Sequence, residues 1–183
     1  IFSLASGLFY ERLLRIMIRS VMKQQSKKKT AATVKFWLLE TTLSAKGVLA
    51  LDVLSRELGF EYELMAYNWP SWLNPQAKKH RTIWAYKILF LDVLFPRNLK
   101  RIIFIDADQM VRSDLMELVD LDLEGHVYAM TPFCNDKTDM APFRFWEHNY
   151  WKHHLEGRPY HISALFVVDL LKKKKKYVAD ILR

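Results

Sequence analysis

The segment Arg101-Ile102-Ile103-Phe104-Ile105-Asp106-Ala107-Asp108 decides how this chain folds. Its four consecutive apolar residues, 102–105, are typical of a strand that is covered by helices on both faces of a sheet. The run ends abruptly at Asp106, and a second carboxylate follows at Asp108. Because ligands of a doubly wound sheet bind at the carboxyl ends of its strands, this pair is expected in a ligand crevice.

Stretches of strand and helix character alternate on both sides of this segment. An apolar start at 1–4 is followed by a turn at Ser6-Gly7 and by a helix whose apolar residues recur every three to four positions. A later helix is predicted to begin after Ser44, its N-cap, and to end at Gly59. Further strands are predicted at 33–39, 60–66, 126–130 and 162–168, a further helix at 79–94, and an irregular aromatic segment at 133–159. The alternation predicts an α/β fold, a Rossmann-type sandwich with a mainly parallel central sheet.

Composition limits the class of protein. The 183 residues fit one domain, 1–183, and carry 28 Lys and Arg against 20 Asp and Glu, a net charge of +8. The single cysteine, Cys134, excludes an internal disulfide framework and a cysteine-based zinc site. No apolar run reaches the roughly 18 residues of a membrane span. Lysine clusters at 27–29 and 172–176 supply the basic charge, and we interpret them as solvated rather than as a nucleic-acid site.

The spacing of Asp106 and Asp108 has two possible explanations. Two carboxylates can address one hard cation, which then completes its shell with phosphate oxygens and water, an arrangement that suits a diphosphate substrate. Alternatively, Asp106 caps the next turn and Asp108 is solvated. The buried strand before the pair favours the metal site.

Three other residues are candidates for the same crevice. The Ser6-Gly7 turn lies where a nucleotide meets a Rossmann-like sheet, although the glycine pattern of a dinucleotide site is absent. Tyr10 on the first helical turn either stacks on a base or packs on the sheet. Lys87 interrupts an apolar helix face, so it either extends its ammonium to solvent or directs it at a substrate phosphate, and by itself the pattern favours the first.

Several segments in the same order resemble one known family. They are Phe2-Ser-Leu-Ala-Ser-Gly7, Tyr10-Glu-Arg12, Val34-Lys-Phe-Trp37, Trp84-Ala-Tyr-Lys-Ile-Leu-Phe-Leu-Asp92, Asp106-Ala-Asp-Gln109, Thr131-Pro-Phe-Cys134 and Tyr160-His-Ile-Ser-Ala-Leu165. Over about residues 1–171 the chain resembles the catalytic domain of the UDP-glucose:glycoprotein glucosyltransferases. The resemblance implies a GT-A fold and an enzyme of the endoplasmic reticulum lumen. It implies transfer of glucose, with retention of configuration, from UDP-glucose to high-mannose N-glycans of misfolded glycoproteins.

The resemblance also assigns roles to the metal motif and the helix lysine. Asp106, Ala107 and Asp108 match the family's DxD motif, in which the two aspartates hold Ca²⁺ or Mn²⁺ against the donor diphosphate. Lys87 matches a lysine near the donor phosphates or sugar, which makes it the candidate catalytic residue and reverses the solvent interpretation.

The resemblance implies that four further residues bind the nucleotide sugar. Leu4, Ser6 and Tyr10 match positions that hold the uridine, and Ser163 matches a position that lines the pocket for the donor sugar. The chain departs from the family at Leu8, where histidine is usual, and at Ala85, where glycine is usual.

The resemblance implies that parts of the family's protein lie outside these residues. They are an N-terminal folding-sensor region and a downstream block that supplies a further aspartate to the metal, so we expect residues 1–183 alone to show little turnover. Two alternatives remain open. One is a glycogenin-like hexosyltransferase with another acceptor, and the other is a non-catalytic domain that binds a nucleotide sugar or a glycan. Nucleic acid is not an expected partner.

Overall fold

The computed structural model describes residues 1–26, 33–91, 93–133 and 137–171. Both lysine clusters and Cys134 lie outside these residues. Six strands and five α-helices are described. In chain order they are β1 (Phe2–Ser3), α1 (Leu8–Ser26), β2 (Lys35–Leu39), α2 (Ala45–Leu58), β3 (Glu61–Met65), α3 (Lys79–Ile88), β4 (Arg101–Ile105), α4 (Met116–Val119), β5 (Tyr128–Pro132), α5 (Asn149–Leu155) and β6 (His161–Asp169).

The six strands form one sheet in the order β3-β2-β1-β4-β6-β5. The pairings β3–β2, β2–β1 and β1–β4 are parallel, whereas β6 is antiparallel to both β4 and β5. From β1 the chain builds outward through β2 and β3, then returns to place β4 on the other side of β1. The strand order therefore reverses between β1 and β4, which is where a ligand crevice is expected in an open α/β sheet. The predicted α/β class and mainly parallel sheet are confirmed.

Both faces of the central strands are covered, as the apolar run at 102–105 predicts. On β4, Ile102 and Phe104 pack into a core shared with the α3 side chains, while Ile103 and Ile105 pack into a second core on the opposite face. The second core takes its helix residues from α1 and α2, among them Leu14, Met17, Ile18, Leu51 and Leu54. The two cores thus hold α1 against one face of the sheet and α3 against the other.

The caps of α2 are those that the sequence predicts. The Ser44 hydroxyl accepts a hydrogen bond from the Gly47 amide at 3.0 Å, which satisfies one of the free N–H groups of the first turn. At the other end Gly59 takes a left-handed conformation with φ +70°, and its amide donates to the Ser55 carbonyl. The helix therefore has fixed ends.

Two elements differ from the sequence prediction. The predicted helix at 79–94 ends at Ile88, and the following turns bury Phe90, Leu91, Leu94 and Phe95. These four positions would also share one face of a continuous helix, so the apolar spacing alone did not mark where the helix ends. The aromatic segment at 133–159 is not wholly irregular, since 3₁₀ turns at Thr138–Phe143 and Phe145–Glu147 precede α5. In the described part of the chain, none of the helices has the length and apolar character to span a membrane.

Candidate active site

A cavity of about 370 Å³ opens at the carboxyl ends of β1 and β4. Three chain segments line it: the connection from β1 to α1, the last two turns of α3, and the residues that follow β4. The lining residues are Leu4, Ser6, Tyr10, Ile83, Trp84, Lys87, Asp106, Ala107 and Asp108. The cavity thus lies at the reversal of strand order described above.

The first side of the cavity is built by the turn between β1 and α1. The Ser3 hydroxyl, fully buried, donates to the Ile105 carbonyl at 2.6 Å and so ties the ends of β1 and β4 together. Gly7 has φ +86°, a conformation that glycine adopts without strain, and it turns the chain into α1. Tyr10 then stands on the first helical turn with 46% of its surface exposed. Tyr10 therefore faces the cavity instead of packing on the sheet.

The second side of the cavity carries an ion pair. Nζ of Lys87 lies 2.8 Å from Oδ1 and 3.0 Å from Oδ2 of Asp106. The same ammonium stands 4.3 Å from the centre of the Phe104 ring. Lys87 is only 4% exposed, so the extension to solvent that its local pattern favoured is wrong. Its charge is held inside the protein at the end of β4.

Burial changes the proton affinities of both partners. Removal from water lowers the pKa of Lys87, and the contact with Asp106 works against this change. Burial raises the pKa of Asp106, and the Lys87 ammonium opposes that increase. Each charge therefore stabilises the other in surroundings that disfavour both.

The residues after β4 form a tight turn that separates the two carboxylates. The Asp106 amide donates to the Ala164 carbonyl of β6 at 2.9 Å, and the Gln109 amide donates to the Asp106 carbonyl at 3.1 Å. Ala107 is buried, whereas Asp108 is exposed. The buried alanine anchors the turn while both aspartates line the cavity.

The two carboxylates fit a divalent cation that shares its shell with a substrate. Carboxylate oxygens suit Mg²⁺, Mn²⁺ and Ca²⁺, and such ions are commonly held by one or two carboxylates with phosphate oxygens and water. Within the described residues no cluster of three or more His, Cys, Asp or Glu side chains is placed to hold a metal. A cation bound here would take Asp106 and Asp108 as two of its ligands, and its other ligands would come from the donor and from the downstream block that the resemblance implies.

Most of the residues predicted from the sequence meet at this cavity. Leu4, Ser6, Tyr10, Lys87, Asp106, Ala107 and Asp108 all line it, while Ser163 does not. Ser163 is half-buried on β6. It directly precedes Ala164, whose carbonyl accepts the hydrogen bond from the Asp106 amide. The roles of all eight in binding stay predictions.

Sequence reasoning missed two residues of the cavity wall, Ile83 and Trp84. Both lie one turn before Lys87 on α3, at spacings of four and three residues, which places them on the same helix face. Trp84 is 58% exposed. The helical spacing from Lys87 was the signal that could have found them.

The model of the family described as Glucosyltransferase 24 matches residues 1–183. The chain belongs to this family. It is 54% identical over its whole length to the UDP-glucose:glycoprotein glucosyltransferase of Drosophila melanogaster, and it spans 12% of that protein. It is 51% identical over its whole length to UDP-glucose:glycoprotein glucosyltransferase 1 of Homo sapiens, of which it spans 11%.

Solved structures with the same fold are GT-A-type glycosyltransferases. The galactosyltransferase LgtC, solved with donor and acceptor sugar analogues, matches with a TM-score of 0.66 at 17% identity, over 95% of this chain and 59% of LgtC. The bifunctional glycosyltransferase WbbM gives a TM-score of 0.71 at 17% identity, over 96% of this chain and 32% of WbbM. Mouse xyloside xylosyltransferase 1 gives 0.64 at 14% identity, over 99% of this chain and 70% of that enzyme. The expected GT-A fold is confirmed.

Proposed function

We propose that this chain is the donor-binding part of a glucosyltransferase that moves glucose from UDP-glucose to high-mannose N-glycans of misfolded glycoproteins. The observation that carries the proposal is the convergence of Lys87, Asp106 and Asp108 with the Ser6 turn on one cavity at the strand reversal. The names of relatives with 51–54% identity support the donor and the glycoprotein acceptor. The endoplasmic reticulum lumen, where such acceptors are folded, is part of the same proposal.

The nucleotide half of the donor would be held by the turn after β1. Leu4 offers an apolar contact, Ser6 a hydroxyl, and Tyr10 an exposed aromatic face that can stack on uracil. Because Gly7 and the Ser3 hydrogen bond fix the turn, these groups are in place before the donor arrives. Less conformational entropy is then lost on binding.

The diphosphate would lie against Lys87. An ammonium has three N–H donors, and its contacts with the two Asp106 oxygens leave one available for a phosphate oxygen. As the bond to glucose breaks, negative charge accumulates on the leaving UDP, and a fixed cation stabilises that state more than the ground state. Lys87 is buried, so its charge acts in a medium that screens little.

Asp106 and Asp108 would hold the divalent ion, for which Ca²⁺ and Mn²⁺ are the expected choices. When bound, such an ion supplies positive charge that neutralises the diphosphate and activates it as a leaving group. Asp106 has a second task, since its carboxylate keeps Lys87 charged and oriented. Ser163, beside the Asp106 turn, would line the donor sugar.

An assay of which acceptor receives the glucose distinguishes this function from its alternatives. The full-length protein that carries this chain is supplied with radiolabelled UDP-glucose and a denatured high-mannose glycoprotein. Controls are the same glycoprotein in native form and after enzymatic removal of its glycans. We expect label on the denatured, glycosylated form alone.

Two results would overturn the proposal. Label on a non-glycosylated acceptor would indicate a glycogenin-like hexosyltransferase. Binding of UDP-glucose without transfer to any of these acceptors would indicate a non-catalytic nucleotide-sugar domain.

A further inference from the structure

The first turn of α1 carries Tyr10 into the cavity but has little packing of its own. Leu8, Phe9 and Tyr10 are 64%, 67% and 46% exposed, whereas Glu11 is only 5% exposed. The turn is therefore fixed to the body of the protein at Glu11. A charged side chain in that place is unusual, because carboxylates are rarely buried unless partners satisfy them.

Both hydrogen-bond donors to the Glu11 carboxylate belong to Ser44, the residue that caps the N-terminus of α2. Oε1 of Glu11 accepts from the Ser44 amide at 2.6 Å, and its Oε2 accepts from the Ser44 hydroxyl at 2.8 Å. The same hydroxyl accepts from the Gly47 amide at 3.0 Å. A chain of hydrogen bonds thus runs from the first turn of α2 through Ser44 to Glu11, and the positive end of the α2 dipole faces the carboxylate.

Gly47 leaves just enough room for this contact. A Cβ atom added at Gly47 would lie 2.6 Å from Oε2 and 2.8 Å from Cδ of Glu11. Glycine in a helix normally costs stability relative to alanine, by roughly 0.5–1 kcal/mol. Its presence in the first turn of α2 is explained by the approach of the Glu11 carboxylate.

We infer that Glu11 is a positioning residue of the donor site, which fixes the first turn of α1 to the N-terminus of α2 and so sets the place of Tyr10. The inference rests on the proposed function, because Tyr10 matters here as a contact for the nucleotide. The backbone joins the two roles directly, since the Glu11 amide donates to the Gly7 carbonyl at 3.0 Å and closes the turn that holds Tyr10. Glu11 acts through Tyr10 and does not touch the donor cavity itself.

Glu11→Gln is the direct test, measured as the Kd of UDP by calorimetry and as kcat and KM for UDP-glucose in the full-length protein. Glutamine presents one acceptor in place of two, so one Ser44 donor loses its partner and the turn is released. We expect the Kd of UDP and the KM for UDP-glucose to rise about fivefold, the effect of one hydrogen bond, with kcat nearly unchanged.

Gly47→Ala tests the same contact from the other helix. The Cβ of alanine displaces the Glu11 carboxylate from Ser44, and the better helix propensity of alanine opposes the loss of these hydrogen bonds. The melting temperature is therefore measured together with the Kd of UDP. The matched control is Glu57→Gln. The Glu57 carboxylate also joins α2 to α1, by its contact with Arg19 at 2.9 Å, but that pair is half exposed and belongs to the last turn of α2. The control should leave the Kd of UDP unchanged.

A double-variant comparison separates positioning from a general loss of structure. If Glu11 acts through Tyr10, the effect of Glu11→Gln on the Kd should largely disappear in a Tyr10→Leu background. Failure of the wild-type protein to bind UDP would reject the proposed function. Wild-type binding together with unchanged Kd in both Glu11→Gln and Gly47→Ala, or an equal rise in Glu57→Gln, would reject the positioning role alone. If Glu11→Gln does not fold, Gly47→Ala decides.

Discussion

Nζ of Lys87 contacts both carboxylate oxygens of Asp106, at 2.8 and 3.0 Å, although the two residues are 19 positions apart and lie on different elements. The contact joins the helix side of the cavity to the end of β4. It holds a positive charge beside the two carboxylates Asp106 and Asp108.

Replacing Lys87 with methionine removes the charge and keeps the volume of the side chain. We expect kcat for glucose transfer to fall by about 100-fold or more, because a fixed donor for the developing negative charge is lost. Lys35→Met is the control, since Lys35 at the start of β2 forms an exposed ion pair with Glu63 on the edge strand β3 and does not line the cavity. Wild-type kcat in Lys87→Met would show that this ammonium has no part in the reaction.

Trp84 is expected to contribute to donor or acceptor binding as a wall of the cavity. Trp84→Ala should raise the KM for UDP-glucose or for the glycan by about fivefold, because an aromatic contact worth about 1 kcal/mol is removed. Trp72→Ala is matched to it, since Trp72 is 53% exposed and does not line the cavity. Equal kinetics in the two variants would contradict the role of Trp84.

Tyr62 on β3 is expected to make the stability sensitive to alkaline pH. Burial, helped by a hydrogen bond from its hydroxyl to Asp52, raises the pKa of Tyr62 from 10.0 to about 12. The folded state then keeps a proton that the unfolded state releases. The stability that this proton supports is present below pH 10 and is lost as the pH rises from about 10 to about 12.

The measurement is the free energy of unfolding at several pH values across this window. Tyr62→Phe should lower stability near neutral pH by about 1 kcal/mol and flatten the alkaline decline. Tyr150→Phe, at a tyrosine that is 66% exposed, should keep the wild-type decline. A Tyr62→Phe profile parallel to the wild-type profile would argue against this assignment.

The sequence predicted best those elements whose own residues show which faces are buried or where the element ends. The apolar run 102–105 indicated burial on both faces and was confirmed as β4, and the caps Ser44 and Gly59 marked the ends of α2. The antiparallel places of β5 and β6 were not predicted. Apolar patterns report which faces are buried, but they do not report which strand is the neighbour.

From local pattern alone, the part of the site that could be predicted was the pair Asp106 and Asp108, whose two residues follow the same strand. Local pattern favoured a solvent-exposed Lys87, because nothing near it in sequence indicates that Asp106 lies against it in space. The resemblance to a family, and not the helix pattern, placed this lysine at the phosphates. Trp84 and the contact of Glu11 with α2 were missed for the same reason, since each depends on how two elements meet.

The central claim is that Asp106 and Asp108 together hold a divalent cation that binds the UDP-glucose diphosphate. The most direct measurement is calorimetry of UDP-glucose with the wild-type protein, Asp106→Asn, Asp108→Asn and the exposed control Asp120→Asn, each with Mn²⁺ or Ca²⁺ and again with a chelator. The account predicts binding that depends on the cation in the wild type and in Asp120→Asn, and loss of that dependence in both site variants. Equal affinity with and without the cation in the wild type, or cation-dependent binding that survives in Asp108→Asn and Asp106→Asn, would contradict it.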